Sequence, residues 1–102
     1  MKSRIVRFSQ SANNDLKEIY RDIRTATSWR VAGGFIERIE HFCRSLDLAS
    51  ERGTRRDELR RNVRTLGFER SLTIVFEVDE QEVHVLRIFR AGRDWESEFS
   101  DD

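Results

Sequence analysis

Proline is missing from this sequence altogether, so no turn is fixed by a locked φ and every reversal of the chain rests on Gly, Ser, Thr or Asp. A single cysteine, Cys43, excludes an internal disulfide and fits a reducing cytoplasm. No apolar run approaches the ~18 residues a spanning helix needs, and the N-terminal residues lack the apolar core of a signal peptide, so no membrane association is expected. His41, His84 and Cys43 are scattered without ligand spacing, which argues against zinc and leaves no cofactor expected. Gly33-Gly34 is not a phosphate-binding loop, and no Ser, His or Asp stands in a nucleophile context.

What the sequence has in plenty is charge: 37% of residues are charged, 37% are hydrophobic, and the net charge is zero. The apolar residues are periodic, so the 102 residues are read as one folded domain. Of the 19 basic residues all but Lys2 and Lys17 are arginine, whose planar fork suits carboxylates and phosphates, although a GC-rich genome gives the same bias. The charges are segregated. Arg52–Arg64 holds six arginines against Asp57 and Glu58, whereas Glu77–Glu82 and Asp94–Asp102 hold acids and no base. A basic patch beside an acidic tail points to an anionic partner or to self-screening by the tail.

In chain order, Arg4–Phe8 reads as a short strand. Ser9 or Ser11 can cap the helix that follows, in which Ala12, Leu16, Ile19, Tyr20 and Ile23 form one apolar stripe. Asp15 and Glu18 fall near its positive dipole end. Ser28 can cap a second helix, where Trp29, Ala32, Ile36, Ile39, Cys43 and Leu46 step by 3 and 4 as a packing seam, with Trp29 read as its first core residue. Gly33 and Gly34 each cost about 1 kcal/mol relative to Ala inside a helix, and close approach to the first helix or the sheet would offset that. The short link implies an antiparallel helical hairpin.

Gly53 marks a turn, and Arg55–Arg61 reads as a basic loop. Val63–Glu69 reads as a strand with Arg64, Leu66 and Phe68 on one face, and Gly67 suggests a bulge or close backbone approach. Leu72–Val78 and Val83–Arg90 form a hairpin across Asp79-Glu80-Gln81-Glu82. The second of these is apolar on both faces, as in a central strand covered on both sides. The order strand, helix, helix, strand, strand, strand predicts an α+β fold, with a helical hairpin packed on a mainly antiparallel sheet.

Over residues 4 to 96 the chain resembles the RelE/ParE superfamily of bacterial toxins, and most closely its ParE branch. The resemblance rests on Val6-Arg7-Phe8-Ser9, Asp15-Leu16 with Glu18-Ile19-Tyr20, and Arg38-Ile39. It continues through Glu51-Arg52-Gly53, Arg64-Thr65-Leu66-Gly67-Phe68-Glu69-Arg70, Ile74-Val75-Phe76, Leu86-Arg87-Ile88-Phe89 and Gly92-Arg93-Asp94-Trp95. One departure is Ala49-Ser50, where the family often places a proline before the Glu-Arg-Gly turn.

The resemblance implies a toxin of a type II toxin–antitoxin pair. ParE-like toxins poison DNA gyrase without chemistry of their own and are neutralised by an acidic ParD-like antitoxin in a hetero-oligomer. No direct sequence-specific DNA binding by this chain is expected. RelE-like relatives instead cleave messenger RNA on the ribosome, commonly with a C-terminal Tyr or His. That chemistry needs a base, an acid and cations at the phosphate.

Arg64, Arg87 and Arg90 are candidate cations, while His84 and Glu58 are the candidate proton carriers; His84 also reads as an ordinary strand residue and Glu58 as part of a solvated turn. Tyr20 lies far from the tail in sequence. Arg55, Arg56, Arg60 and Arg64 are the candidate antitoxin contacts, set near a groove between helical hairpin and sheet. The alternatives for this cluster are nucleic-acid binding and pairing with the acidic tail. Arg87, Arg90, Arg93 and Trp95 are the candidate target contacts. Trp95 is read either as a lid folded onto the sheet or as an exposed anchor.

Overall fold

The computed structural model describes residues 3–100. Strand β1 (Ile5–Phe8) leads into helix α1 (Gln10–Ala26), and Ser9 sets the junction. Its hydroxyl oxygen accepts from the Ala12 N–H at 2.9 Å and donates to the Leu86 carbonyl at 2.7 Å. One residue therefore caps the helix and ties its start to the last strand. Ser28 caps helix α2 (Trp29–Arg44) by accepting from the Val31 N–H.

A 3₁₀ turn at Ser45–Asp47 buries Leu46. Strands β2 (Thr54–Arg55), β3 (Val63–Phe68), β4 (Leu72–Val78) and β5 (Glu82–Arg90) follow, and a short helix α3 (Trp95–Ser100) closes the chain. The sheet runs β1-β5-β4-β3-β2. It is antiparallel except where β1 joins β5 in parallel, a pairing made possible by the helical hairpin as crossover. The α+β arrangement is the expected one, with β2 and α3 as additions. Two residues and six residues give too little periodicity to register as elements in the sequence.

The sheet is covered on both faces, as the apolar alternation of β5 predicts. On the hairpin side Leu16, Ile19, Ile39, Cys43 and Leu46 pack on Ile74, Phe76, Val83, Val85 and Ile88. On the other side Val63, Val75 and Phe89 carry Phe99, with Leu59, Leu86 and Trp95 at the margin. Burying each large side chain contributes roughly 1.5–3 kcal/mol, so the hairpin-side core dominates stability.

Four expectations are corrected. Trp29 is 63% exposed and is not core: the buried seam begins at Ala32, and Trp29, the first residue of α2, carries Arg30 over its ring instead. Among the described residues a Cβ at Gly33 or Gly34 would meet nothing within 4 Å, so no close approach there accounts for them. Gly67 pairs regularly with Thr73, and the bulge lies elsewhere, at Leu86, between the pairs Phe76–Val85 and Val75–Arg87. Asp15 is buried and serves β5 rather than the helix dipole. Gly53 is the turn residue expected: its φ is +76°, and a Cβ there would lie 2.1 Å from the Thr65 carbonyl oxygen.

Candidate functional site

The C-terminal arginines are organised by the open edge of β5. Strand β1 ends at Phe8, opposite Val85, so beyond that point β5 lacks a neighbouring strand on this side. Helix α1 covers the gap and supplies Asp15, whose carboxylate accepts from the Ile88 N–H at 2.8 Å. The same carboxylate takes Arg87 Nε at 2.8 Å and Nη2 at 3.0 Å. The two side chains are only 13% and 10% exposed. Arg87 also stacks over the Phe89 ring at 4.5 Å and lies 3.8 Å from Glu98. Arg90 pairs with Asp22 of α1 at 2.8 Å, and Arg93 pairs with Glu98 at 2.7 Å.

Helix α3 lies back across the sheet face opposite the hairpin. Trp95 stacks on Phe89 with ring centres 5.8 Å apart, and Phe99 is buried. Trp95 is thus a lid. Arg56 covers its outer face at 5.3 Å and pairs with Glu58 and Glu96. A six-residue helix has no stability of its own, so these contacts and the Glu98 pairs hold it. The tail's acids therefore screen the molecule's own arginines through Glu96 and Glu98; Asp101 and Asp102 lie outside the described residues.

The four arginines read as antitoxin contacts fall on two faces. Arg56 and Arg60 lie on the α3 side, where Arg60 pairs with Glu77 at 3.3 Å, and so they stand away from the groove between hairpin and sheet. Arg55 and Arg64 are cross-strand partners on the hairpin side, at the far edge of the sheet. Arg55 pairs with Asp57 at 2.9 Å. Among the described residues Arg64 hydrogen-bonds the Arg52 carbonyl alone, at 3.5 Å, and its charge helps to lower the Asp57 carboxyl. It shares a polar cleft with Arg4, Glu51, Asn62, Asp79 and Glu80. The separation follows from strand alternation: Val63 faces α3, so Arg64 faces the hairpin.

The two candidate proton carriers named from the sequence, His84 and Glu58, pair away from Arg87 and Arg90, whose own neighbours are Asp15, Glu98 and Asp22. His84, near the start of β5, bonds Glu82 at 2.8 Å, and Glu82 also pairs with Arg7. These partners hold the Glu82 carboxyl below the ordinary range, Arg7 contributing most. Asp79 lies close enough for the three to offer ligand atoms within 4.8 Å of one another. Its oxygen, however, already accepts from the Gln81 and Glu82 N–H groups and closes the β4–β5 turn, which lowers its own carboxyl. Glu58 is held by Arg56, whose guanidinium lowers its carboxyl. His41 is exposed on α2. Cys43 is fully buried, and burial pushes its thiol up to about 12, as befits a core residue.

One feature that periodicity did not mark lies on the outer side of the hairpin. A groove between α1 and α2 has Leu16, Tyr20 and Ile36 in its floor and Lys17 and Glu40 on its rims. Neither glycine of α2 lines it; Gly34 lines a second cleft, with Arg38, Phe42, Phe68 and Glu69.

The sequence profile of the family described as ParE toxin of type II toxin-antitoxin system, parDE, matches residues 6–95. Comparison with curated proteins gives no match. Among solved structures, the chain is similar to one from a chromosomal ParDE TA system of P. aeruginosa, with 27% identity and a TM-score of 0.75 over 86% of this chain and 96% of that one. Among the described residues no helix is long and apolar enough to cross a membrane. The chain belongs to the ParE toxin family of type II toxin–antitoxin systems.

Proposed function

We propose that this toxin poisons DNA gyrase by binding, without chemistry of its own, and that a ParD-like antitoxin neutralises it in a hetero-oligomer. The observation that carries this reading is the state of the C-terminal arginines. Arg87, the cation most central to the closing strand, is spent on Asp15 inside the fold, and Arg90 and Arg93 pair with Asp22 and Glu98. Phosphate chemistry needs a base and an acid beside such cations. The two candidate proton carriers are engaged elsewhere, His84 with Glu82 and Glu58 with Arg56, and the carboxylates beside the arginines are held in ion pairs with them. What the closing strand and α3 present is a rigid, partly screened surface, with Arg90, Arg93 and the edge of Trp95 available for contact with the target.

The test has two arms. Expression of the toxin alone is expected to arrest growth, and co-expression with a ParD-like antitoxin to relieve it. Purified toxin is expected to inhibit gyrase supercoiling, and loss of that inhibition on adding antitoxin would complete the reading. Absence of supercoiling inhibition at excess toxin would overturn it. Message cleavage on translating ribosomes, abolished by Arg64→Ala, would replace it with the RelE-type alternative.

A further inference from the structure

Charge is sorted around helix α1. Asp15, Glu18 and Asp22 lie toward β5, where they line a polar cleft with Arg90 and Arg93. Asp15 and Asp22 hold Arg87 and Arg90 there. Helical spacing puts Lys17, Tyr20, Arg21 and Arg24 together on another side, and the three cations are exposed. Gln10, Asn13 and Asn14 continue that strip back to the start of the helix and add no acid to it. From Gln10 to Arg24 the strip runs about 21 Å, at a rise of ~1.5 Å per residue.

The fold does not neutralise these cations. Among the described residues Lys17, Arg21, Arg24 and Arg30 meet no carboxylate at ion-pair distance, whereas Arg87, Arg90 and Arg93 each do. At the tip of the hairpin Arg24 and Arg30 stack over Tyr20 and Trp29, at 5.7 and 5.2 Å. Stacking holds a guanidinium by its face and leaves the N–H groups of its edge to bond an anion. Among the described residues lining the outer groove between α1 and α2, Glu40 alone, on the far rim, is acidic.

We infer that this strip of α1, extended by Arg30 at the hairpin tip, is a contact surface for double-stranded DNA, made to the phosphate backbone without regard to sequence. Cations without carboxylate partners, ranged along a straight helix, match the regular charge of a duplex, which carries one phosphate per ~3.4 Å of each strand. The amides of Gln10, Asn13 and Asn14 add neutral donors for the same oxygens. The rings favour a duplex over a single strand. Single strands are held largely by bases stacking on open aromatic faces, and here Tyr20 and Trp29 each carry an arginine. The inference goes beyond gyrase poisoning and does not rest on it, since the contact needs only this chain and DNA.

The experiment is fluorescence anisotropy of a labelled duplex of arbitrary sequence with the purified full chain, repeated over a series of salt concentrations. The parent is expected to bind at low salt and to weaken as salt rises, with a logarithmic slope of about 3 for three to four phosphates. Arg21→Gln/Arg24→Gln is expected to bind at least about tenfold more weakly at low salt and to lower the slope by about 2. Arg61→Gln/Arg70→Gln removes the same charge from exposed arginines elsewhere and is expected to stay within about threefold of the parent. All four side chains are exposed, and thermal unfolding checks that both variants fold. No binding by the parent at low salt overturns the inference. Equal losses in the two variants overturn it as well, by reducing the contact to overall charge. Tighter binding of a single strand of the same length overturns the assignment to duplex. Intact DNA binding by Arg21→Gln/Arg24→Gln with antitoxin binding lost also overturns it, by giving the strip to a protein partner. None of these outcomes bears on gyrase poisoning, which supercoiling reads separately.

Discussion

Arg87 of β5 and Asp15 of α1, 72 residues apart, share two hydrogen bonds, and the Asp15 carboxylate takes the Ile88 N–H as a third. One carboxylate thus finishes an unfinished sheet edge and neutralises a nearly buried guanidinium. Removing either partner leaves a charge behind in a poor solvent. Arg87→Ala is expected to cost about 3–5 kcal/mol, the range for breaking a buried pair. Urea denaturation checks it; a loss below about 1 kcal/mol would show that water replaces the partner. A toxicity defect in Arg87→Ala would then report folding rather than target contact.

Helix α3 depends on Trp95 and Phe99 for its hold on the sheet. Phe99→Ala is expected to cost about 3–5 kcal/mol and to loosen the helix, since what remains is the Trp95–Phe89 stack and exposed ion pairs worth little each. Trp95 fluorescence is the readout: a red shift under native conditions is expected, and an unchanged spectrum would place the hold elsewhere.

Gly53 and Gly92 both hold a positive φ, and at Gly53 a side chain would also meet the backbone of a neighbouring strand. Alanine there must adopt a φ of +76° and push against the Thr65 backbone carbonyl. Gly53→Ala is expected to destabilise by about 2 kcal/mol or more and to loosen the β2–β3 pairing, measured by hydrogen exchange at Thr54 and Thr65. Gly33→Ala has no such obstacle and is expected to stabilise the free toxin by roughly 0.5–1 kcal/mol.

The pH dependence follows from lowered carboxyls. Asp57, Glu58, Glu69, Asp79 and Glu82 all titrate below their ordinary values, held by backbone N–H groups or by Arg56, Arg38, Arg7 and His84. A depressed folded-state pKa contributes stability that is full above the unfolded value of about 4 and is lost as pH falls through the folded value. Stability is therefore expected to be flat in these groups above about pH 5 and to drop below about pH 4. Four of these carboxylates are exposed and Glu82 is half-buried, so the effect of each is small. Thermal unfolding between pH 7 and 3 measures the sum, and Asp79→Asn, which removes the anion that accepts from Gln81 and Glu82, should make the acid slope shallower.

Much of the fold was legible because its apolar residues repeat cleanly: both helix caps, the hairpin, the meander and the two-sided burial of β5 follow from Ser9, Ser28 and the runs 72–78 and 83–90. The bulge at Leu86 was not. Strict alternation puts Arg87 with Val83 and Val85 on the hairpin side and Ile88 opposite, whereas one extra residue returns Ile88 to that core and frees Arg87 to reach Asp15. Nothing in a single sequence marks that slip. The grouping of the arginines was hidden for a related reason. Arg56 and Arg64 are near in sequence, but a turn and a strand's two-residue period put them on opposite faces. Trp29 falls on the seam's spacing yet is exposed, because periodicity carries no sign of where along a helix burial begins.

The measurement that most directly tests the central claim is a gyrase cleavage assay with purified toxin, supercoiled plasmid and a denaturant quench. A binding poison is expected to trap gyrase on cut DNA and yield toxin-dependent linear plasmid that antitoxin suppresses. No linear product at excess toxin, with gyrase supercoiling at its normal rate, would contradict the account.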